Sequence, residues 1–148
     1  MTDARNTYRE SAARGANPVR LVVLLYEQLA EDLRQAVKAI DDRDIESRTN
    51  RINHAILILG YLQSRLDMER GGQVARNLER LYNVFRENFL QAQMQTSKAL
   101  LLERIADLLS LRDAWSEVER AETAASQEAP SGANLSSSSQ QGTTSWKA

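Results

Sequence analysis

Apolar side chains recur every three or four residues in four blocks, and polar or turn-forming residues separate the blocks. The first runs from Pro18 through Val22, Leu25, Tyr26, Leu29, Leu33, Ala36, Val37 and Ile40. This spacing lays one apolar stripe along a helix of about 24 residues. Asn17-Pro18 offers a capping side chain and then a proline at the first helical position, where the missing N–H costs nothing. "DDRD" (Asp41 to Asp44) closes that helix and caps the second block: Ile45, Ile52, Ala55, Ile56, Leu59, Leu62 and Leu66. Gly71-Gly72 stand before the third, which holds Val74, Leu78, Leu81, Tyr82, Phe85, Phe89 and Ala92. Ser97 is placed to cap the fourth, with Leu101, Ile105, Leu108, Leu109, Trp115 and Val118, which fades near Ala125.

Four helices of about 20–28 residues with short links predict an all-α, antiparallel up-down four-helix bundle over residues 17–125. Residues 1–16 are polar with one large apolar side chain, Tyr8, and read as a flexible arm. Residues 126–148, "SQEAPSGANLSSSSQQGTTSWKA", are too polar to repay their ordering entropy and read as a disordered tail. No repeat of fixed period is present.

Two segments exceed a plain stripe. "PVRLVVLLYEQL" is apolar nearly all round at the start of the first helix, and "AILILGYL" (55–62) does the same in the second. Two readings stand: a deeply buried helix pair, or apolar surface turned toward a partner.

Composition narrows the function. The chain has 148 residues, 42% of them hydrophobic, and a formal net charge of −1, so no global field draws it to nucleic acid. Its bases are sixteen Arg against three Lys. Arg suits carboxylate and peptide recognition, although high-GC codon usage produces the same bias. Cysteine is absent, which removes disulfides and thiolate metal sites. "MTDARNTYRES" lacks the apolar core of a secretory signal, and no apolar run approaches a membrane span. A cytoplasmic protein without membrane insertion is the expectation.

Catalytic constellations are equally scarce. His54 is the single histidine, so His-based metal clusters fail. "DDRDIE" puts Glu46 where a calcium loop needs glycine, and helix capping accounts for its acids. A phosphotransfer module at His54 has a candidate cation in Arg51 but no lysine beside the histidine. The Gly71-Gly72 pair follows a helix and lacks the spacing of a P-loop or dinucleotide site, so it reads as a helix-to-helix corner. No catalytic, cofactor-binding or metal residues are expected.

Tyr8, Asn17-Pro18, Leu21 and Leu24-Leu25-Tyr26 resemble the opening of the FliS-type flagellar export chaperones. "LDMERGGQVARNLERLYNVFRENFLQA" resembles that family's central Gly-Gly…Ala-x-Asn-Leu…Leu-Tyr run, and "LLSLRDAWSEV" (108–118) its close. The likeness spans about residues 8–120, and Gly71 to Tyr82 is its most specific part. Glu27-Gln28 replace the family's usual Asp and Gly, and Ser97 stands for an aspartate before the last helix. The resemblance implies a cytoplasmic chaperone, not an enzyme. It would hold the disordered C-terminal segment of flagellin unpolymerised and deliver it to the flagellar type III export gate, whose components become candidate partners. Candidate contact residues are Tyr8 in the arm, and Leu24, Tyr26, Leu59, Leu78, Tyr82 and Phe85 in a groove of helices one to three. The alternative on the same fold is a helical adaptor for another secretion or regulatory protein.

Overall fold

In the computed structural model, the described residues are 18–134 for the backbone and 18–126 for side chains. They form four helices and no strand: α1 (Pro18–Asp41), α2 (Ile45–Ser64), α3 (Gly72–Gln95) and α4 (Lys98–Asn134). The expected arm, with Tyr8, and residues 135–148 lie outside the described residues.

The helix boundaries follow local chemistry. Asp44 caps α2 by accepting from the Ser47 N–H at 3.0 Å, and the Ser97 hydroxyl accepts from the Leu100 N–H at 3.2 Å to start α4. Arg43 and Thr96 take left-handed backbone conformations (φ 58° and 52°) in the two short links. Each link reverses the chain within a few residues.

Cross-helix contacts establish the register. From Arg20 to Glu27 to Asp41 along α1, the partners on α4 run backward from Glu119 to Arg112 to Lys98. Gln93 near the end of α3 meets Thr49 near the start of α2, while Asn83 meets Gln63. Neighbours are therefore antiparallel, in the ring order α1–α2–α3–α4. The helix α1 packs closely on both α4 and α2, and α3 closes the ring through sparser contacts.

Inside sit Tyr26, Leu29, Leu33, Ile52, Leu59, Tyr82, Phe85, Phe89, Leu101 and Leu108, all buried. Phe85 and Phe89, one turn apart, stack with centroids 6.1 Å apart. The predicted stripes supply this core almost residue for residue.

Two features differ from expectation. The helix α4 continues to Asn134, through the first part of the segment read as disordered from residue 126. Residues 121–129 are rich in Ala, Glu and Gln, so helix propensity carries the backbone on after burial has ended. The Gly-Gly corner also works differently. The helix α2 stops at Ser64 without glycine, and Asp67 then folds a separate turn by accepting from the N–H groups of Glu69 and Arg70. Gly72 supplies its left-handed conformation (φ 57°) at the first residue of α3, not at the end of α2. Gly71 is needed for space, since a Cβ there would lie 2.6 Å from the Asp67 carbonyl oxygen.

The two ends of the bundle are unlike. At one, links of a few residues hold the helices together, reinforced by Lys98–Asp41 (2.9 Å) and Arg48–Thr96 (3.1 Å). At the other, residues 65–71 form a longer link, and the helices part.

Candidate functional site

A groove of about 280 Å³ opens at the long-link end. One wall is the start of α1: Pro18, Val19, Leu21, Val22 and Leu25. Facing it are Tyr61 and Leu62 of α2, the link residues Arg65 to Asp67, and Val74, Ala75, Leu78 and Tyr82 of α3. Trp115 of α4 completes the lining. The surplus apolar face of α1 is therefore divided. Val23 and Tyr26 turn into the core, while Val19, Leu21, Val22 and Leu25 face the groove. In α2, Leu57 is 72% exposed and Tyr61 continues the groove outward, whereas Ile58, Leu59 and Leu62 are buried.

A buried polar pair spans the bundle beside the groove. The hydroxyls of Tyr26 on α1 and Tyr82 on α3 lie 2.7 Å apart. Burial pushes the Tyr26 phenol well above its ordinary value, the neighbouring Tyr82 adds to the rise, and the Trp115 indole acts in the opposite sense. Tyr82 is also raised by burial, partly offset by the hydrogen bond from Tyr26. Both remain neutral hydroxyls over the physiological range.

At the α1–α2 seam, Asp32 is fully buried. His54 Nδ1 lies 2.6 Å from one oxygen, and Arg51 and Gln28 donate to the other at 3.3 and 3.1 Å. This absorbs the two residues that made a phosphotransfer site conceivable: both hold a structural carboxylate. No cluster of three potential metal ligands occurs among the described residues, and no described helix is long and apolar enough to cross a membrane.

Of the sequence candidates, Leu78 and Tyr82 line the groove. Tyr26, Leu59 and Phe85 are buried in the core behind it, and Leu24 is half-buried on α1 without lining it. Tyr8 lies outside the described residues. Sequence reasoning does not single out Val22, Leu25, Tyr61, Val74 or Trp115 as groove residues, yet all five line it. The all-round apolar runs in α1 and α2 are the signal that holds Val22, Leu25 and Tyr61; Val74 and Trp115 offer none beyond a place in a stripe.

A concave apolar surface with few polar groups, on a helical bundle, suits a binder of partner segments: a helical chaperone or adaptor. Comparison with known families makes the class specific. The family model described as "Flagellar protein FliS" matches residues 1–122, and the chain belongs to the FliS family, a family of non-enzymatic flagellar secretion chaperones. Similar proteins include the flagellar secretion chaperone FliSB of Pseudomonas aeruginosa, 38% identical over 106 residues (72% of this chain, 84% of the relative). The flagellar secretion chaperone FliS of Campylobacter jejuni is 32% identical over 122 residues (82% and 95%). That of Salmonella typhimurium is 31% identical over 111 residues (74% and 82%).

Proposed function

We propose that the groove at the open end receives part of the C-terminal segment of flagellin, keeps it unpolymerised in the cytoplasm, and presents it to export-gate components. The observation that carries this reading is the apolar wall of α1. Val19, Leu21, Val22 and Leu25 line the groove and are only half-buried, with Val22 and Leu25 packed on the edge of the core. An apolar segment that folds on binding would bury these side chains along with its own. Leu78 and Tyr82 are its direct contacts, and Tyr26, Leu59 and Phe85 hold the wall from behind.

The arm fits the same scheme. Chain 1–17 joins α1 at the groove's edge, where Pro18 and Val19 are lining residues. We infer that Tyr8 covers the groove in the free protein and is displaced by flagellin. Removing residues 1–15 then tightens flagellin binding; unchanged affinity and unchanged groove accessibility reject the arm's role.

The main test is calorimetric titration of a flagellin C-terminal peptide, with helical circular dichroism as a second readout. Val74→Glu sits on the groove at a position 62% exposed, where the substitution leaves folding intact. Binding that survives it places the partner elsewhere. Flagellin lacking its C-terminal segment separates the two roles: an adaptor for another protein would not discriminate it from the full protein.

A further inference from the structure

Among the described residues, the Tyr26–Tyr82 pair has one hydrogen more than it can use. Each hydroxyl brings one hydrogen and accepts through its oxygen. At 2.7 Å the two share a single hydrogen bond, which engages one of their two hydrogens. No described residue accepts the other. Tyr26 is wholly buried, so a hydrogen on its oxygen would have nowhere to go but the apolar core. If Tyr26 donates to Tyr82, the remaining hydrogen belongs to Tyr82, which is itself buried (2% exposed) but is the member of the pair that lines the groove.

The groove offers that hydrogen little. Its one carboxylate, Asp67, is taken up by the N–H groups of Glu69 and Arg70 in its own turn. Its other polar side chains are the phenol of Tyr61, the guanidinium of Arg65, placed 5.8 Å over the Tyr61 ring, and the Trp115 indole; the last two are donors only. The groove's one cation, Arg65, is exposed, whereas Tyr82 is buried; a buried neutral donor does not repay the desolvation of a carboxylate, whereas a neutral carbonyl suits it.

We propose that Tyr82 is a specificity-determining residue: its hydroxyl donates to a neutral amide carbonyl, from the backbone or an Asn or Gln side chain, of the apolar peptide segment seated in the groove. This rests on the chaperone reading above. It adds a polar requirement to a site otherwise defined by apolar contact, because a segment without an accessible carbonyl at that depth leaves the hydrogen unpaired.

The test is titration of the full chain, Tyr82→Phe and Tyr26→Phe with the flagellin C-terminal peptide. Tyr82→Phe keeps the ring and weakens binding about three- to tenfold, as expected for one neutral hydrogen bond. Tyr26→Phe leaves the Tyr82 hydroxyl in place and weakens binding less than Tyr82→Phe does. Equal binding by Tyr82→Phe and the parent, or equal losses in both variants, overturns the inference while leaving the chaperone reading intact. A parent chain that does not bind the peptide overturns both. Should Tyr82→Phe fold poorly, 3-fluorotyrosine at position 82 gives a stronger donor on nearly the same ring. Tighter peptide binding then supports the proposal, and unchanged or weaker binding rejects it.

Discussion

Asp32 allows a stability prediction whose sign runs against simple contact counting. The carboxylate is fully buried between α1 and α2, yet its two cationic or potentially cationic donors are only partly so: the side chains of Arg51 and His54 are 43% and 49% exposed. Removing the acid by Asp32→Ala frees both donors to turn into water. The loss is then the net worth of the hydrogen bonds and a small cavity, about 1–2 kcal/mol. Removing the donors by Arg51→Ala with His54→Ala does the reverse. A buried anion keeps Gln28 as its only side-chain donor of the three, and an uncompensated buried charge costs about 3–5 kcal/mol.

The triple variant decides between this account and additivity. If the orphaned charge dominates, adding Asp32→Ala to the double donor variant restores stability, although it deletes one more polar side chain. At about 2–4 °C per kcal/mol for a chain of this size, the double variant melts roughly 6–20 °C below the parent. The triple recovers several degrees. Thermal and urea unfolding followed by circular dichroism at 222 nm measure all four proteins. A triple variant no more stable than the double would show that Asp32 is held by packing and local helix contacts instead, and the reasoning fails.

Three glycines separate space from backbone geometry. Gly60 lies within α2, and a methyl group added to its Cα would meet nothing within 4 Å, so Gly60→Ala raises stability by about 0.5–1 kcal/mol; a loss in urea midpoint refutes this. Gly72→Ala forces a left-handed alanine and costs about 1–2 kcal/mol, while Gly71→Ala drives a methyl group onto the Asp67 carbonyl and the Ala75 side chain and destabilises through that clash. Both effects are read in the same unfolding assay. Phe89→Ala removes a buried stacked ring and costs about 3–5 kcal/mol, measured against an unchanged flagellin affinity under conditions where the variant remains folded. On the alkaline side, Tyr26 and Tyr82 have folded values raised by burial. Their stabilisation is complete below the ordinary phenol value near 10 and declines above it, by about 1.4 kcal/mol per pH unit for each group still protonated in the folded state. Phenolate absorbance at 295 nm then shows these two titrating together with unfolding; smooth ionisation of all tyrosines in a folded protein refutes it.

The four stripes were legible because helix burial is periodic, and Leu29, Leu33, Phe85 and Phe89 fell where a period of 3.6 put them. The caps at Asp44 and Ser97 were legible because they depend on neighbours three residues away. What escaped depended on partners distant in sequence. Asp32 looks like one more solvated acid until α2 brings Arg51 and His54 against it. Tyr26 and Tyr82 looked like two groove aromatics, whereas their hydroxyls meet across the bundle and only one of them reaches the groove. The end of α4 escaped for another reason: composition argued for disorder from residue 126, while good helix formers continue to Ala129 and the helix runs on to Asn134.

The position of the groove follows from unequal links. The Asp42–Asp44 and Thr96–Ser97 connections permit little separation of the helices they join, and both lie at the same end of an antiparallel bundle. Polar contacts there tie α1 to α4 and α2 to α3, through Lys98–Asp41 and Gln93–Thr49 (2.6 Å). At the opposite end the chain connection is the longer 65–71 link, built around the Asp67 turn and Gly71 and carrying Leu66 on the edge of the core, and the Arg20–Glu119 pair (3.6 Å) ties α1 to α4. The start of α3 can therefore stand away from the start of α1, and the Tyr26–Tyr82 hydroxyl contact joins those diagonal helices beside the groove that Tyr82 lines. Ties at the closed end leave the groove side chains Val22, Leu25, Leu78 and Trp115 half-buried on the edge of the core at the other. A bundle that binds an unfolded segment needs that division, because the surface offered to the partner must be apolar enough to attract it yet not required for folding.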